Sequence, residues 1–259
     1  MSESIAPYKT GKIRAASIHL AVSATIGTLA GMLVFMLWYP FPYHTLLGVS
    51  HLFALLLIVD VVMGPLLTAV VYSPNKSSTE LSRDIGIIAV LQLAALLYGL
   101  HTLAIARPIQ LAFEADQFRV VRQIDVADPA FDALPSSLRP ALWRGPGLIG
   151  VRITRPGDPD YLRSLELSLS GLTAAFRPSH WVPYDVQRPA VRARARAVST
   201  LRAKHPEHAA LIAEALVDTG LPENRLGYLP MRAERGGDWV VLLRLDDAEP
   251  VGYLPLDGW

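Results

Sequence analysis

Three long apolar segments occupy the first part of the chain. Residues 15–37 and residues 85–106 contain no Asp, Glu, Lys or Arg, and residues 51–71 contain one charged side chain, Asp60. The hydrocarbon core of a bilayer is about 30 Å thick, and ~20 apolar helical residues cross it. Each segment is therefore long enough to span a membrane, and the pattern predicts three transmembrane helices within residues 1–106.

The hydrophobic pattern changes after Ala106 to short runs that are typical of an α+β domain over residues 107–259. Alternating apolar positions predict a hairpin that turns at residues 115–117, and further strands at residues 148–155, 226–233, 239–245 and 251–254. Helical spacing predicts helices at residues 159–172, 189–205 and 206–219. A stretch rich in Pro and Asp, residues 128–146, is typical of a loop.

The charges that flank the apolar segments predict the topology. Three basic residues precede the first segment, the loop of residues 40–50 has no Lys or Arg, and the loop of residues 72–84 has two. Short loops that carry positive charge stay in the cytoplasm. We therefore expect a multi-pass protein of a bacterial inner membrane, with a cytoplasmic N-terminus and a periplasmic domain over residues 107–259.

A row of small residues in the first segment predicts close helix packing. Ser23, Gly27 and Gly31 recur every four residues, so they lie on one helical face and let another helix approach. The partner is either another helix of this chain or the transmembrane helix of another protein.

The second segment carries Asp60, followed by Gly64 and Pro65. Proline lacks a backbone donor, so Pro65 is expected to kink the helix. A carboxylate inside the membrane costs a few kcal/mol unless it is protonated or paired, so Asp60 is a candidate functional residue. The alternative is a structural Asp60 that is protonated and bonded to a neighbouring helix, for example through one of three polar side chains: His19, Gln92 or His101.

The composition excludes several classes of function. Residues 107–259 contain 19 basic and 19 acidic residues, so they lack the positive excess of a nucleic-acid-binding surface. The chain has no cysteine, which excludes disulfides, zinc–thiolate sites and thiol nucleophiles. No hydrolase or phosphate-binding motif is present, and His205 and His208 flank a proline at a helix junction. We expect no catalytic residue, cofactor or metal.

Two segments of the soluble part are candidate contact surfaces. A basic run extends from Arg188 to Lys204, and it is either a solvated face or a docking surface for an acidic partner or lipid head groups. The sequence WVPYD at residues 181–185 is either a rigid recognition loop or a plug of the domain core. Arg192 and Arg196 are expected to share one helical face. The candidate periplasmic contacts are Trp181, Pro183, Tyr184, Asp185, Arg192 and Arg196.

Short motifs spread over most of the chain carry a resemblance to a known family. They are KIRAASIHL at 12–20, WYP at 38–40, VDVVMGPLLT at 59–68, ARP at 106–108, FEADQFRVV at 113–121, WVPYD at 181–185 and GYLPLDGW at 252–259. Together they resemble the type IV pilin accessory proteins, the TfpX/TfpZ and fimbrial-assembly FimB-like group. The resemblance implies an inner-membrane accessory factor, a chaperone or assembly modulator, that acts on the stability or assembly of a cognate pilin.

The family has no established catalytic residues, so the resemblance implies no enzyme. We expect the apolar stem of a pilin to contact the helices of this chain. The candidate residues for helix packing or stem contact are Ser23, Gly27, Gly31, Asp60, Gly64 and Pro65. Two other classes remain open: a membrane-tethered enzyme that modifies pilin or hydrolyses another substrate, and a small proton-coupled transport component that uses Asp60.

Overall fold

A computed structural model describes residues 5–73, 75–127, 131–234 and 236–259, with side chains from residue 11 onward. It contains two compact units. The first unit comprises Met1–Pro40 and Gly48–Ile105, and the second comprises Phe41–Leu47 and Ala106–Trp259. The α-helices, in chain order, are α1 (Ile5–Met32), α2 (Tyr43–Leu46), α3 (Val49–Leu57), α4 (Gly64–Val71), α5 (Ser78–Ala106), α6 (Tyr161–Leu169), α7 (Tyr184–Arg194), α8 (Val198–Lys204) and α9 (Ala209–Asp218).

The first unit contains the three predicted membrane helices. The helices Gly11–Trp38, Val49–Val71 and Ser78–Ala106 are long and apolar enough to cross a membrane, which confirms the prediction by length and composition. Large apolar side chains such as Met36 and Val70 point outwards and are exposed. Outward-facing apolar groups are expected where the surrounding solvent is lipid.

The second membrane helix is interrupted where the sequence predicts a kink. Between α3 and α4 the backbone forms a π-helical segment, Ile58–Met63, and Pro65 follows in the first turn of α4. A proline has no N–H to donate, and its ring crowds the carbonyl four residues earlier. The wider π turn relieves that crowding, and such turns are frequent at functional sites. The interruption includes Asp60.

The described part of the second unit is built on one mixed sheet of eight strands. The strands are β1 (Pro108–Glu114), β2 (Gln117–Arg122), β3 (Gly147–Val151), β4 (Trp181–Pro183), β5 (Arg196–Ala197), β6 (Leu226–Arg232), β7 (Trp239–Arg244) and β8 (Glu249–Leu254). Their order is β4-β3-β1-β2-β6-β7-β8, and β5 pairs with β6. The pairs β1–β3 and β2–β6 are parallel, and the other pairs are antiparallel.

Two apolar cores support this sheet. One core combines residues of β1, β2, β3 and β4 with Ala174, Ala175 and Phe176 of a short helical turn. The other combines residues of β6, β7 and β8 with the buried faces of α8 and α9. The sheet and its helices confirm the predicted mixture of α and β structure after the membrane helices.

Several local predictions are confirmed and others are wrong. The hairpin formed by β1 and β2 is present as predicted, and β6, β7, α6 and α9 lie within the predicted ranges. Strands β3 and β8 begin one and two residues before their predicted ranges. The segment expected to be a loop at Trp181 instead forms β4, which pairs with β3. The predicted loop at 128–146 contains one short helical turn, Phe131–Ala133, and its residues 128–130 lie outside the described part of the chain.

The single helix predicted at residues 189–205 is instead two helices. Helix α7 begins earlier, at Tyr184, and ends at Arg194, after which β5 separates it from α8. The two residues of β5 form ladder pairs with β6, and this tertiary pairing overrides the local helical preference. Consequently Arg192 and Arg196 do not share a helical face.

The loop between the first two membrane helices belongs to the second unit. The Phe41 ring lies 6.4 Å from that of Trp239 and 6.2 Å from that of Tyr253. Tyr43 is buried and shares a side-chain hydrogen bond with Tyr253. The loop between the first two membrane helices is therefore packed as part of the C-terminal domain.

Candidate functional sites

The small-residue row of the first helix packs against the second helix of the same chain. A Cβ atom added at Gly27 would lie 2.7 Å from Leu57 Cδ2, and one added at Gly31 would lie 3.4 Å from Phe53 Cε1. The first of the two predicted partners therefore occupies this row. A stem helix from another protein could use it only by displacing those side chains.

Asp60 is buried, with 6% of its surface exposed. Within the described chain its Oδ1 atom has no hydrogen-bond partner. His19 Nδ1 lies 2.6 Å from Thr68 Oγ1, Gln92 Nε2 donates to the backbone oxygen of Asp60 at 2.8 Å, and His101 is exposed. Among the described residues no hydrogen bond joins the Asp60 side chain to any of these three residues, although His19 and Gln92 line the same crevice. The structural and the functional alternatives for Asp60 both stay predictions.

A crevice of about 90 Å³ lies next to Asp60. Its polar lining is His19, Ser23, Asp60 and Gln92, and the rest of its wall is apolar and comes from the first and third helices. The Oε1 atom of Gln92 also lacks a hydrogen-bond partner in the described chain.

The glycine and the proline after Asp60 have different surroundings. A Cβ atom at Gly64 would lie 2.1 Å from Gln92 Nε2, so only a residue without a side chain lets Gln92 reach the Asp60 backbone. Pro65 lines a separate groove of about 240 Å³ near Lys12.

The two large rings of the WVPYD segment belong to the domain core. Trp181 and Tyr184 are each 5% exposed. The Trp181 Nε1–H donates to the carbonyl of Ala175 at 2.8 Å, and the Tyr184 hydroxyl donates to the carbonyl of Ala248. Burial raises the pKa of Tyr184. These rings therefore fit the plug alternative.

Two other positions of this segment reach the surface. Pro183 and Asp185 are exposed. Asp185 accepts from Arg188 at 2.6 Å, and the Arg188 guanidinium also lies 5.0 Å from the centre of the Tyr184 ring and 2.7 Å from a carboxylate oxygen of Glu249. Arg188 thus links the start of α7 to β8, a role that the sequence pattern did not single out.

The basic run contacts the turn between β7 and β8 and the C-terminal segment of the chain. Arg192 donates to the backbone oxygen of Asp246 at 3.0 Å, and Arg196 donates to the backbone oxygen of Gly258 at 2.7 Å. Lys204 pairs with Asp257 at 2.6 Å. The run and the GYLPLDGW motif therefore form one structural feature.

Other polar groups of the domain show no arrangement for metal chemistry. Among the described residues, no group of three His, Asp or Glu side chains is placed to hold a metal ion. His205 Nε2 lies 2.8 Å from the Asp257 carbonyl oxygen. His180 is buried, its Nδ1 lies 2.9 Å from the Arg152 carbonyl, and burial lowers its pKa.

Comparisons with known proteins place these features in context. Residues 8–48 match the family model described as fimbrial assembly protein FimB. The chain is similar to the fimbrial assembly protein of Dichelobacter nodosus serogroup I, with 32% identity over 87% of this chain and 88% of that protein. The serogroup E1 protein is 31% identical with the same coverage. The protein of serogroups C1 and C2 is 38% identical over 46% of this chain and 89% of its own length. No solved structure matches.

Proposed function

Because this chain belongs to the FimB family of fimbrial assembly proteins, we propose that it is an inner-membrane accessory factor for type IV pili. Its family supports a role in pilus assembly. The finer part of the proposal is that the protein acts as a chaperone or assembly modulator on a cognate pilin and affects its stability or its assembly. The role in pilus assembly rests on the alignment of similar fimbrial assembly proteins over 87% of the chain, across both units.

The architecture supports this role. A pilin that awaits assembly has an apolar stem in the membrane and a head outside the cytoplasm. Three helices of spanning length can contact such a stem, and the second unit can contact the head. We propose that the second unit is periplasmic. The flanking charges favour that orientation, and the loop Phe41–Leu47 packs with the domain as a loop on the same side would.

The contacts that we propose with a pilin use the crevice beside Asp60 and two exposed positions of the domain. The row containing Gly27 and Gly31 already holds the second helix, so the stem is expected at the crevice beside Asp60. In the domain, Pro183 and Asp185 are exposed and available to the head. No catalytic step is part of this proposal.

A deletion strain tests the proposal. We expect loss of surface pili, measured by electron microscopy and in sheared fractions, while the pilin transcript is unchanged and the intact mass of the remaining pilin equals that of wild type. Plasmid-borne wild-type protein should restore piliation. Normal piliation in the deletion strain would refute the proposal, and an altered pilin mass would favour a modifying enzyme instead.

A further inference from the structure

Two buried oxygen atoms in the membrane unit lack hydrogen-bond donors. Within the described residues, neither Asp60 Oδ1 nor Gln92 Oε1 has a partner, and both residues line the same crevice. Lipid tails cannot donate hydrogen bonds, so an unsatisfied polar group in the hydrocarbon region is costly. Ionisable residues within membrane helices are rare for this reason, and they mark sites where another polar group has to be accommodated.

Neither oxygen receives a hydrogen bond from the polar side chains that line the crevice. The Gln92 amide nitrogen donates to the Asp60 backbone oxygen, and the His19 ring nitrogen is paired with the Thr68 hydroxyl. The crevice therefore offers two acceptors without partners among the described residues, and an occupant that carries donors can satisfy them. A hydroxyl can satisfy one of the two oxygens, whereas an ammonium or an amide NH₂ can donate to both.

The crevice opens towards lipid. Val22 of the first helix and Leu93 of the third helix line it, and both are about half exposed, at 53% and 52%. Its volume of about 90 Å³ fits the end of one polar side chain, and it is far below the several hundred Å³ of ordinary small-molecule sites. Asp60 lies about 16 Å along the helix from either end of Val49–Val71, beyond the reach of a lipid head group that stays at the interface.

We propose that this crevice binds a nitrogen group with at least two N–H donors, an amide or an ammonium, carried by the transmembrane helix of a partner protein. The inference rests on the proposed function in one respect: the partner is expected to be a membrane protein of pilus assembly. Gln92 and Asp60 accept from the incoming group, and the apolar lips of the crevice pack against the partner helix.

Photo-crosslinking in intact cells tests this proposal, with a matched pair of leucines. Leu93 lines the crevice, whereas Leu91 lies on the same helix, is 66% exposed and does not line it. A photoreactive residue at Leu93 should yield an adduct with a pilus-assembly membrane protein, identified by mass spectrometry, at least tenfold more than the same residue at Leu91. The attachment point on the partner should lie within one helical turn of a Lys, Asn or Gln.

The Leu93 adduct should fall at least tenfold when Asp60→Leu or Gln92→Met is added, at equal amounts of membrane-inserted protein. In the Asp60→Asn variant, a retained adduct identifies a neutral amide donor, and a lost adduct identifies an ammonium. Since the chain has no cysteine, a disulfide between Gly27→Cys and Leu57→Cys reports that the first two helices still pack in these variants.

An adduct of equal strength at the two leucines, or one that is unchanged by both Asp60→Leu and Gln92→Met, would overturn the proposal. So would adducts with lipid alone, since the crevice would then hold water or a protonated Asp60. Failure of the proposed function is separate, because it is judged by normal piliation in the deletion strain. A deletion strain without pili combined with an insensitive Leu93 adduct would leave the function standing and reject the crevice site.

Discussion

A buried ion pair in the first hairpin of the domain gives the sharpest test of the structure. Glu114 ends β1 and Arg119 lies in β2, and the Arg119 Nε atom donates to Glu114 Oε2 at 2.9 Å. Each side chain is 9% exposed. Glu114 also accepts from the backbone N–H of Ala175 at 3.0 Å, and the Arg119 guanidinium lies 5.6 Å from the centre of the Phe176 ring. The pair therefore joins the hairpin to the helical turn beneath it.

The Arg119→Met variant keeps the apolar stem and removes the charge. The Glu114 carboxylate is then left buried with one backbone donor. Removing one partner of a buried pair costs about 3–5 kcal/mol, because the other charge is left uncompensated. The second partner of Arg119, Glu234, is 45% exposed, so that pair adds little. With about 2–4 °C per kcal/mol for a domain of this size, the Tm should fall by about 6–20 °C.

Thermal unfolding of the full chain in lipid nanodiscs, followed by tryptophan fluorescence and circular dichroism, measures the change. The matched control is the double variant Glu114→Leu/Arg119→Met, which leaves no buried charge. It should be more stable than Arg119→Met alone, although the Ala175 N–H then loses its acceptor, at about 1–3 kcal/mol. A loss of unfolding free energy below about 1 kcal/mol in Arg119→Met would refute the reasoning. So would a double variant whose loss equals the sum of the losses in the two single variants, because substitutions at contacting residues should not be additive.

Two further predictions concern the same domain. Burial lowers the pKa of His180, so the unfolded state binds a proton more readily than the folded state. The unfolding free energy should therefore fall as the pH drops below about 6.5. Denaturant titrations at several pH values should show a weaker dependence of the unfolding free energy on pH in His180→Asn than in the wild type. Trp181→Phe keeps a ring but removes the donor to the Ala175 carbonyl, and it should lower the unfolding free energy by about 1–3 kcal/mol in the same titrations. Pro183→Ala, at an exposed position, should change the unfolding free energy by less than about 0.5 kcal/mol. Equal losses of unfolding free energy in the two variants would contradict the assignment of Trp181 to the core.

The family motifs acquire structural reasons in the folded chain. The FEADQFRVV motif contains both members of the Glu114–Arg119 pair and the turn between them, where Ala115 adopts a positive φ of 60°. The WVPYD motif contains the two core rings, Trp181 and Tyr184. The Glu114–Arg119 pair lies within its motif, whereas Trp181 and Tyr184 bond to Ala175 and Ala248. The core role of the WVPYD motif could therefore not be read from the motif alone.

The sequence by itself determined the elements whose signal is local. Three apolar segments of spanning length are sufficient to predict the membrane helices, since the thickness of the bilayer sets the only requirement. Alternating apolar residues likewise predict the hairpin of β1 and β2 and the three C-terminal strands, because period two is a property of one strand.

Only the tertiary structure decided which faces and partners these elements use. The spacing of Leu165 and Leu169 predicts helix α6, yet both leucines are exposed and Ser164 is the buried residue of that helix. The segment at Arg196 leaves the helix because β6 offers a ladder partner. The Asp60 side chain lies beside His19 and Gln92 without a hydrogen bond to either; His19 pairs with Thr68, and Gln92 donates to the backbone oxygen of Asp60. Each outcome depends on residues distant in the chain, and local periodicity carries no information about them.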